Sequence, residues 1–249
     1  MSASKRVAIF GATSAIAQSV ARRYARAGAQ LALIGRNQAK LEALARELGP
    51  AARFTRVQDF ARTEQAEAGV QAAFDALGGI DIALIAHGLL GDQLRSEQEL
   101  AEALEIEHVN YTSVVALLIP IANRLAAQQS GQIAVLSTVA AERGRPRNYT
   151  YAAAKGALNV YLQGLRSRLY REHVTVHTLK LGPTDTPMSA DHTKNMLFAR
   201  PDQVADGVVR AIERGDQEAY VPRFWRPLMF VVRNLPEPIF QRVPALSGR

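Results

Sequence analysis

Two side chains in the middle of the sequence have the types and the spacing for acid–base chemistry. Tyr151 and Lys155 are four residues apart, so a helix would place the phenol and the ammonium on one face. A neighbouring ammonium stabilises a phenolate, so we expect it to lower the pKa of Tyr151. The pair therefore predicts a proton donor or acceptor, although a Tyr-x-x-x-Lys pattern alone is common.

Polar residues in two other segments are candidates for the same site. An apolar run over residues 132–136 is typical of a buried strand, and it ends in two hydroxyl groups, Ser137 and Thr138. Asn110 falls in a long segment of helical periodicity, where an amide on an apolar face needs a hydrogen-bond partner.

The start of the sequence predicts a phosphate-binding turn. A short apolar strand leads through Gly11, Thr13, Ser14 and Ile16 into a helix. In a dinucleotide-binding βαβ unit, such a turn brings the backbone and the helix N-terminus to a pyrophosphate. Ala15 stands where glycine is expected, and its methyl group could loosen that contact. A strand–glycine–helix turn also occurs as a purely structural feature.

The ends of the next two strands favour NADP(H) over NAD(H). An NAD site commonly has a carboxylate after the second strand, whereas an arginine accommodates the 2′-phosphate of NADP. Here Arg36 follows that strand and no acid is present, although Arg36 could be only a solvated charge. Asp59, after the third strand, could accept a hydrogen bond from the adenine amine or cap a helix.

Short apolar segments alternate along the chain with longer segments of helical periodicity, which indicates βαβ units. Several strands are apolar on both sides, as in a sheet covered on both faces. We therefore predict a single doubly wound Rossmann domain, α/β, with a seven-stranded parallel sheet and helices on both faces. The predicted strands are 7–10, 30–34, 52–58, 82–86, 132–137, 175–181 and 218–221, and the helices lie near 15–27, 38–48, 65–77, 97–128, 149–170 and 201–214.

Composition excludes several classes of function. The chain has 249 residues, a formal net charge of +7 and no cysteine, which rules out disulfides and thiolate chemistry. The histidines His87, His173, His177 and His192 lack metal-ligand spacing, so we expect no metal. Nucleic-acid binding would rest on net charge alone, and we do not expect it.

The Rossmann domain is predicted to span residues 1–221, followed by a C-terminal extension over 222–249 that is rich in proline, arginine and aromatic residues. Trp225 and Phe230 beside arginines suit the interface of an anionic membrane, and they equally suit an arm that packs on its own fold or on a second subunit. Because no apolar run is long enough to span a bilayer, we expect a cytoplasmic protein, or one peripheral at the inner membrane surface.

Together these motifs resemble the short-chain dehydrogenase/reductase family over residues 5–220. The matches, in chain order, are Gly11, Asn110, Ser137-Thr138, Tyr151 with Lys155, and the loop over 181–188. Five ordered matches at suitable spacing argue against coincidence. The resemblance implies an oxidoreductase that moves a hydride between NADP(H) and a carbonyl or alcohol, and assembly into a homodimer or homotetramer.

The resemblance also implies a role for each matching residue. Tyr151 would be the general acid or base, and Lys155 would lower its pKa and contact the nicotinamide ribose. Asn110 would hold a water in the proton relay. At the spacing where the family has serine, Thr138 would bind the substrate oxygen, with Ser137 as second choice. The implied cofactor contacts are Gly11, Thr13, Ser14, Ile16, Arg36, Asp59, Ala86, Gly88, Lys155, Thr184 and Thr186.

The chain departs from the family pattern after the fourth strand, where the family has Asn-Ala-Gly. Here Ala86 replaces the asparagine and His87 replaces the alanine, so the polar side chain of that asparagine is missing. Tyr149 is expected in the substrate pocket or in packing. Residues 188–198 are expected to form a mobile lid over the substrate or a static helix pair.

Residues 141–151 resemble a subgroup of the family that includes decaprenylphosphoryl 2-keto-pentose reductase. In this segment Arg143, Arg145 and Arg147 could bind a substrate phosphate, or they could be solvated surface charges. We therefore expect reduction of a small-molecule or lipid-linked ketone by NADPH, with a keto-sugar or keto-lipid near a membrane as first guess. The alternatives are a soluble ketone or ketoacyl thioester, and a catalytically weak NADP-binding sensor or scaffold.

Overall fold

The computed structural model describes residues 4–189 and 196–244. Its seven strands are parallel and lie in the spatial order β3-β2-β1-β4-β5-β6-β7. The predicted doubly wound Rossmann fold is therefore confirmed. The strands are β1 (Arg6–Phe10), β2 (Gln30–Gly35), β3 (Ala52–Val57), β4 (Ile82–Ile85), β5 (Gly131–Thr138), β6 (Val174–Leu181) and β7 (Glu218–Val221).

Helices cover both faces of the sheet, because each strand alternates its apolar side chains between them. In β1, Val7 and Ile9 pack with one helical layer, whereas Ala8 and Phe10 pack with the other. Helices α1, α2 and α8 form the first layer, and α3, α6 and α7 form the second. The described helices are α1 (Ala15–Arg26), α2 (Gln38–Leu48), α3 (Ala66–Leu77), α4 (Gln93–Ser96), α5 (Leu100–Glu107), α6 (Ser113–Gln128), α7 (Tyr149–Leu169), α8 (Pro201–Glu213), α9 (Trp225–Asn234) and α10 (Glu237–Arg242).

The order of the strands reverses at β1, because the chain builds outward to β3 and then crosses back to add β4 on the other side. In open α/β sheets the loops that leave the two central strands separate at this point, and the crevice between their carboxyl ends binds ligands. The crevice beyond the carboxyl ends of β1 and β4 is therefore the expected ligand-binding site.

The single helix predicted over residues 97–128 is wrong in its details. The structure has two helices here, α5 and α6, joined by a π turn over His108–Thr112, with α4 as a separate short helix before them. A π turn adds one residue to the helical repeat, and such turns occur frequently at functional sites. The prediction assumes a regular apolar periodicity of 3.6 residues, which does not reveal the extra residue of a π turn.

The stretch Leu100–Gln128 is long and apolar enough, by length and composition alone, to cross a membrane, and half of its most apolar 18-residue segment is buried in the fold. Leu118, Ile121 and Leu125 are fully buried in the core between α6 and the sheet. Such burial is typical of a helix that packs in the core of a fold.

Residues 225–242 form two helices that pack on the fold. Trp225, Met229 and Val232 recur along one face of α9, and they form a small core with Phe240 of α10 and Val139 after β5. For these residues the structure therefore favours an arm that packs on its own chain.

Candidate active site

The amide of Asn110 lies fully buried in the π turn. Its Nδ2 donates to the carbonyl oxygens of Leu89 (2.6 Å) and Ile106 (2.8 Å), and its Oδ1 accepts from the amide of Leu89 (3.2 Å). Asn110 thus ties the π turn to the segment after β4. Its role in holding a water stays a prediction.

Gly88 lies between Asn110 and Lys155. A Cβ atom at Gly88 would be 2.9 Å from Asn110 Oδ1 and 3.6 Å from Lys155 Nζ, so a larger residue would displace the amide. Lys155 is 3% exposed, and its Nζ donates to the carbonyl oxygen of Leu136 in β5 (3.3 Å). The carboxyl ends of β4 and β5 therefore meet the face of α7 that carries Lys155.

Tyr151 precedes Lys155 by one turn of α7. Burial raises the pKa of Tyr151 to about 12 and lowers the pKa of Lys155 to about 8. Burial sets the direction of this shift in Tyr151, and the expected lowering of its pKa by Lys155 stays a prediction. Near neutral pH, Tyr151 therefore carries the proton that it needs to act as an acid.

The two hydroxyls at the end of β5 have different partners. Ser137 is buried, and its Oγ donates to Asn159 Oδ1 of α7 at 2.6 Å. Thr138 Oγ1 accepts from the amide of Ala140 (3.1 Å), which leaves the hydroxyl hydrogen available to donate. This geometry favours Thr138 as the donor to a substrate oxygen.

The turn between β1 and α1 is shaped to approach an anion. Gly11 has a φ of +90°, and a Cβ atom there would lie 2.5 Å from the amide nitrogen of His87 beyond β4, so glycine is required. The hydroxyl oxygen of Ser14 caps α1 by accepting from the amide of Ala17 (3.2 Å). The first turn of α1 carries no acid, so nothing opposes the positive end of its dipole. The predicted contacts Thr13, Ser14 and Ile16 are half-buried in this turn.

Arg36 and Asp59 follow the adjacent strands β2 and β3, and both are exposed at the same edge of the sheet. Asp59 Oδ1 accepts from the amide of Ala61 (3.1 Å) in a tight turn. The alternative that Asp59 caps a helix is wrong, because α3 begins only at Ala66.

Comparison with known proteins identifies the family. Residues 5–197 match the model for short chain dehydrogenases. The chain belongs to the short-chain dehydrogenase family. It is an oxidoreductase with relatives of nearly equal length. It is 34% identical over 243 residues to an uncharacterized oxidoreductase of Mycobacterium tuberculosis, and the match covers 96% of each chain. It is 32% identical over 238 residues to one of Streptomyces coelicolor, which covers 94% of both.

Solved structures share the fold of this short-chain dehydrogenase. A short chain dehydrogenase from Burkholderia cenocepacia in complex with NADP has a TM-score of 0.83 at 20% identity, over 96% of this chain and 97% of that one. Actinorhodin polyketide ketoreductase with NADPH has a TM-score of 0.78 at 22% identity, over 87% of this chain and 95% of that one.

His87 lies in the crevice of this short-chain dehydrogenase, although its spacing from the other histidines predicts no role for it as a metal ligand. Its ring stacks on Phe60 with centroids 4.4 Å apart, and its Nε2 lies 2.9 Å from Ser113 Oγ. Burial lowers the pKa of His87 to about 3, with a further contribution from the charges of Lys155 and Arg36, so the ring is neutral. The signal that could have identified it is its position between a strand end and Gly88.

Thr184 and Thr186 lie in a loop after β6 that is held by its own hydrogen bonds. Thr184 Oγ1 donates to the carbonyl oxygen of Gly182 (3.1 Å), and Ser189 Oγ donates to that of Thr184 (2.7 Å). The amide of Thr186 donates to Ser189 Oγ (3.2 Å). The predicted lid over 188–198 lies largely outside the described residues, so the choice between a lid and a helix pair stays open.

Trp225 of α9 forms the wall behind this loop. Its indole packs directly on Gly182, and Val139, the residue after Thr138, joins the same small core. The C-terminal helices of this short-chain dehydrogenase therefore support both loops that carry candidate residues.

Within residues 4–189 and 196–244, no three His, Asp or Glu side chains are grouped so that they could hold a metal ion. His177 is enclosed in the sheet, where its ring nitrogens pair with Gln132 Oε1 (2.8 Å) and the carbonyl oxygen of Asp216 (2.7 Å). His192 lies outside the described residues.

Proposed function

We propose that this short-chain dehydrogenase reduces a ketone to a secondary alcohol with NADP(H) as its redox cofactor. The observation that carries the proposal is that Asn110 and Lys155 both border Gly88 at the carboxyl end of β4, one helical turn from Tyr151. When bound, NADPH supplies the hydride that reduces the carbonyl carbon. The carbonyl oxygen takes the balancing proton from Tyr151.

The protonation states support reduction near neutral pH. Tyr151, with a pKa of about 12, holds its proton until the substrate oxygen becomes more basic. Lys155, with a pKa of about 8, is mostly charged at neutral pH and stabilises the phenolate that remains. Thr138 donates its hydroxyl hydrogen to the same oxygen, which orients the carbonyl between two donors.

The residues at the crevice fit a dinucleotide with a 2′-phosphate. The glycine turn and the N-terminus of α1 suit the pyrophosphate, since Gly11 lets the backbone approach it. Arg36 suits the 2′-phosphate, Asp59 the adenine amine, and Lys155 the nicotinamide ribose. The remaining proposed contacts are Thr13, Ser14, Ile16, Ala86, Gly88, Thr184 and Thr186. The NADP and NADPH complexes of two proteins with this fold support the same choice.

Fluorescence titration with NADPH and NADH tests the cofactor, with Arg36→Ala in parallel. Arg36→Ala should weaken NADPH binding about tenfold or more and leave NADH binding unchanged, because only NADPH has the 2′-phosphate. Oxidation of NADPH against a panel of ketones then tests the reaction, and Tyr151→Phe should abolish turnover while it keeps NADPH binding. Tight binding without any turnover would instead support the sensor or scaffold.

As substrate we propose first a keto-sugar or keto-lipid near a membrane surface, and a soluble ketone or ketoacyl thioester as the alternative. The support is the outer face of α9, where Phe230 and Val231 are more than half exposed beside the exposed Arg226. Co-sedimentation with vesicles of phosphatidylcholine, with and without phosphatidylglycerol, tests the contact. Binding that needs the anionic lipid and is lost in Phe230→Ser supports it, and absence of binding favours the soluble substrate.

We further propose that the protein assembles as a homodimer or homotetramer, as the family resemblance implies. Light scattering of the purified protein tests the assembly, and a monomer at micromolar concentration would contradict it. The likeness to the keto-pentose reductase subgroup stays a prediction.

A further inference from the structure

The three arginines between β5 and α7 have different surroundings, and this difference separates their roles. The guanidinium of Arg143 is held by the C-terminal helices. It donates to the carbonyl oxygens of Val232 (2.8 Å) and Leu235 (2.5 Å), pairs with Glu237 (2.6 Å) and lies 4.0 Å above the ring of Phe240. Arg143 therefore anchors the loop to the C-terminal helices and already has its counter-ion in Glu237.

Arg147 is exposed to solvent, and hydration satisfies its charge. Removing this charge should therefore disturb neither the packing nor a site. Arg147 is a matched control for its neighbour Arg145, since both are arginines of the same loop.

Arg145 is half-buried, and no carboxylate among the described residues pairs with it. Within the described part of the chain, its one hydrogen bond goes to the thioether sulfur of Met229 at 3.9 Å, and its Nε is covered without any partner. Burial lowers the pKa of Arg145, and the charge of Arg147 adds to this effect. A thioether is a weak acceptor, so the guanidinium gives up hydration without a compensating partner.

Arg145 borders an open pocket of about 400 Å³, together with Glu97, Gly144, Pro146 and Tyr149. Tyr149 begins α7, and Tyr151 lies two residues further along the same helix, about 3 Å along its axis. The pocket therefore lies at the same end of α7 as Tyr151.

We propose that Arg145 binds an anionic group of the substrate, a phosphate or a carboxylate, so that the enzyme selects ketones with a negative charge remote from the carbonyl. The inference rests on the proposed reductase function and names its substrate class. A guanidinium matches the two oxygens of such a group with parallel N–H donors. The anion would supply the counter-ion that residues 4–189 and 196–244 do not provide.

Glu97 lines the same pocket and limits where the anion can bind. It is exposed, and it accepts a hydrogen bond from Gln93 Nε2 (3.4 Å) rather than pairing with Arg145. A carboxylate repels a second anion, so the charged group of the substrate is confined to the end of the pocket at Arg145. Glu97→Gln should therefore strengthen the binding of anions, whereas Arg145→Met should weaken it.

The first test measures anion binding without turnover. The NADPH-loaded protein is titrated with methyl phosphate and acetate, and the increase in Tm is compared among the wild type, Arg145→Met and Arg147→Met. We expect stabilisation of the wild type and Arg147→Met that is lost in Arg145→Met. No stabilisation of the wild type, or equal stabilisation of all three proteins, would overturn the proposal. Dodecyl phosphate below its micelle concentration distinguishes the source, because tighter binding than methyl phosphate indicates a lipid and equal binding a soluble metabolite.

The second test uses dihydroxyacetone and dihydroxyacetone phosphate, which differ only in the charged group. The wild type should prefer the phosphate by at least tenfold in kcat/KM. Arg145→Met should remove this preference, whereas Arg147→Met should keep it, and circular dichroism checks that both variants fold. Equal preference in both proteins would refute the role of Arg145. The reductase function is tested separately, by the panel of ketones, so if neither of these two is reduced the titration with methyl phosphate still decides on the anion site.

Discussion

The hydroxyl of Ser137 donates a 2.6 Å hydrogen bond to Oδ1 of Asn159, and both side chains are buried between β5 and α7. The next residue, Thr138, uses its oxygen to accept from the amide of Ala140 and keeps its hydrogen for another acceptor. Alternation along the strand thus gives two adjacent hydroxyls separate tasks. Ser137 joins the sheet to α7, and Thr138 is the one placed for chemistry.

Substitution of Ser137 should therefore lower stability, whereas substitution of Thr138 should lower kcat. Ser137→Ala leaves a buried acceptor on Asn159 without a donor, which should destabilise the fold by about 1–3 kcal/mol with little change in kcat. Thr138→Val keeps the shape of the side chain but removes the donor to the substrate oxygen, and kcat should fall by about 10²–10³. Urea unfolding and steady-state reduction of a ketone measure the two effects. Thr138→Ser should remain active, and a Ser137→Ala protein that is stable but inactive would reverse the assignment.

Part of this site could be predicted from the sequence because it depends on local spacing. Tyr151 and Lys155 belong to one helix, and Gly11 belongs to one turn, so their relation follows from backbone geometry alone. Asn110 could be named as a candidate, but the π turn around it depends on hydrogen bonds to Leu89, which is remote in sequence. The pKa values of Tyr151 and Lys155 depend on burial by the whole fold, which their spacing along one helix does not reveal.

The C-terminal segment marks another limit of prediction from local pattern. The arginines of the loop after β5 are equivalent by sequence, and only the position of α9 and α10 distinguishes Arg143 from Arg145. The alternation of strands and helices, in contrast, depends on apolar periodicity within each segment, and it specified the seven-stranded sheet correctly.

A methyl group at Gly88 should disturb the site more than the fold. In Gly88→Ala the added carbon would lie 2.9 Å from Asn110 Oδ1, so the amide or the backbone of Gly88 must move. Displacement of a positioned group by about 1 Å can cost about 10²-fold in rate, and we expect kcat to fall by that order. Overpacking should lower stability by about 1–3 kcal/mol.

The control for this change is Gly164→Ala in α7, where an added Cβ meets no atom within 4 Å. Because alanine is the better helix former, this variant should gain about 0.5–1 kcal/mol and keep full activity. Steady-state kinetics and urea unfolding of both variants check the contrast. Full activity of Gly88→Ala would show that Asn110 and Lys155 do not need their present positions.

The affinity for NADPH should depend on pH through Lys155. With a pKa of about 8, Lys155 is charged at pH 6.5 and neutral at pH 9.5, so its attraction for the anionic cofactor is lost as the pH rises through about 8. A hydrogen bond from a charged donor contributes about 1.5–3 kcal/mol, so the Kd should rise about tenfold or more over this range. Fluorescence titration at steps of half a pH unit measures the curve. Lys155→Met should bind weakly at every pH, and a wild-type Kd that stays constant from pH 6.5 to 9.5 would exclude Lys155 as a cofactor contact.

Trp225 should connect the stability of the C-terminal helices to cofactor binding. Its indole is 4% exposed and packs on Gly182, at the start of the loop that carries Thr184. Trp225→Ala would leave a cavity in a core shared with Val139, at a cost of about 3–5 kcal/mol.

If this core supports the loop, NADPH binding should weaken in Trp225→Ala at a temperature where the variant is still fully folded. The matched control is Phe230→Ala on the outer face of the same helix, where the ring is 64% exposed. Its stability should change by less than about 0.5 kcal/mol, with an unchanged Kd for NADPH. Thermal unfolding followed by circular dichroism and NADPH titration at 15 °C measure both variants. A Trp225→Ala protein that loses stability but binds NADPH as tightly as the wild type would restrict the role of α9 to folding, because the loop would then keep its shape without the indole behind it.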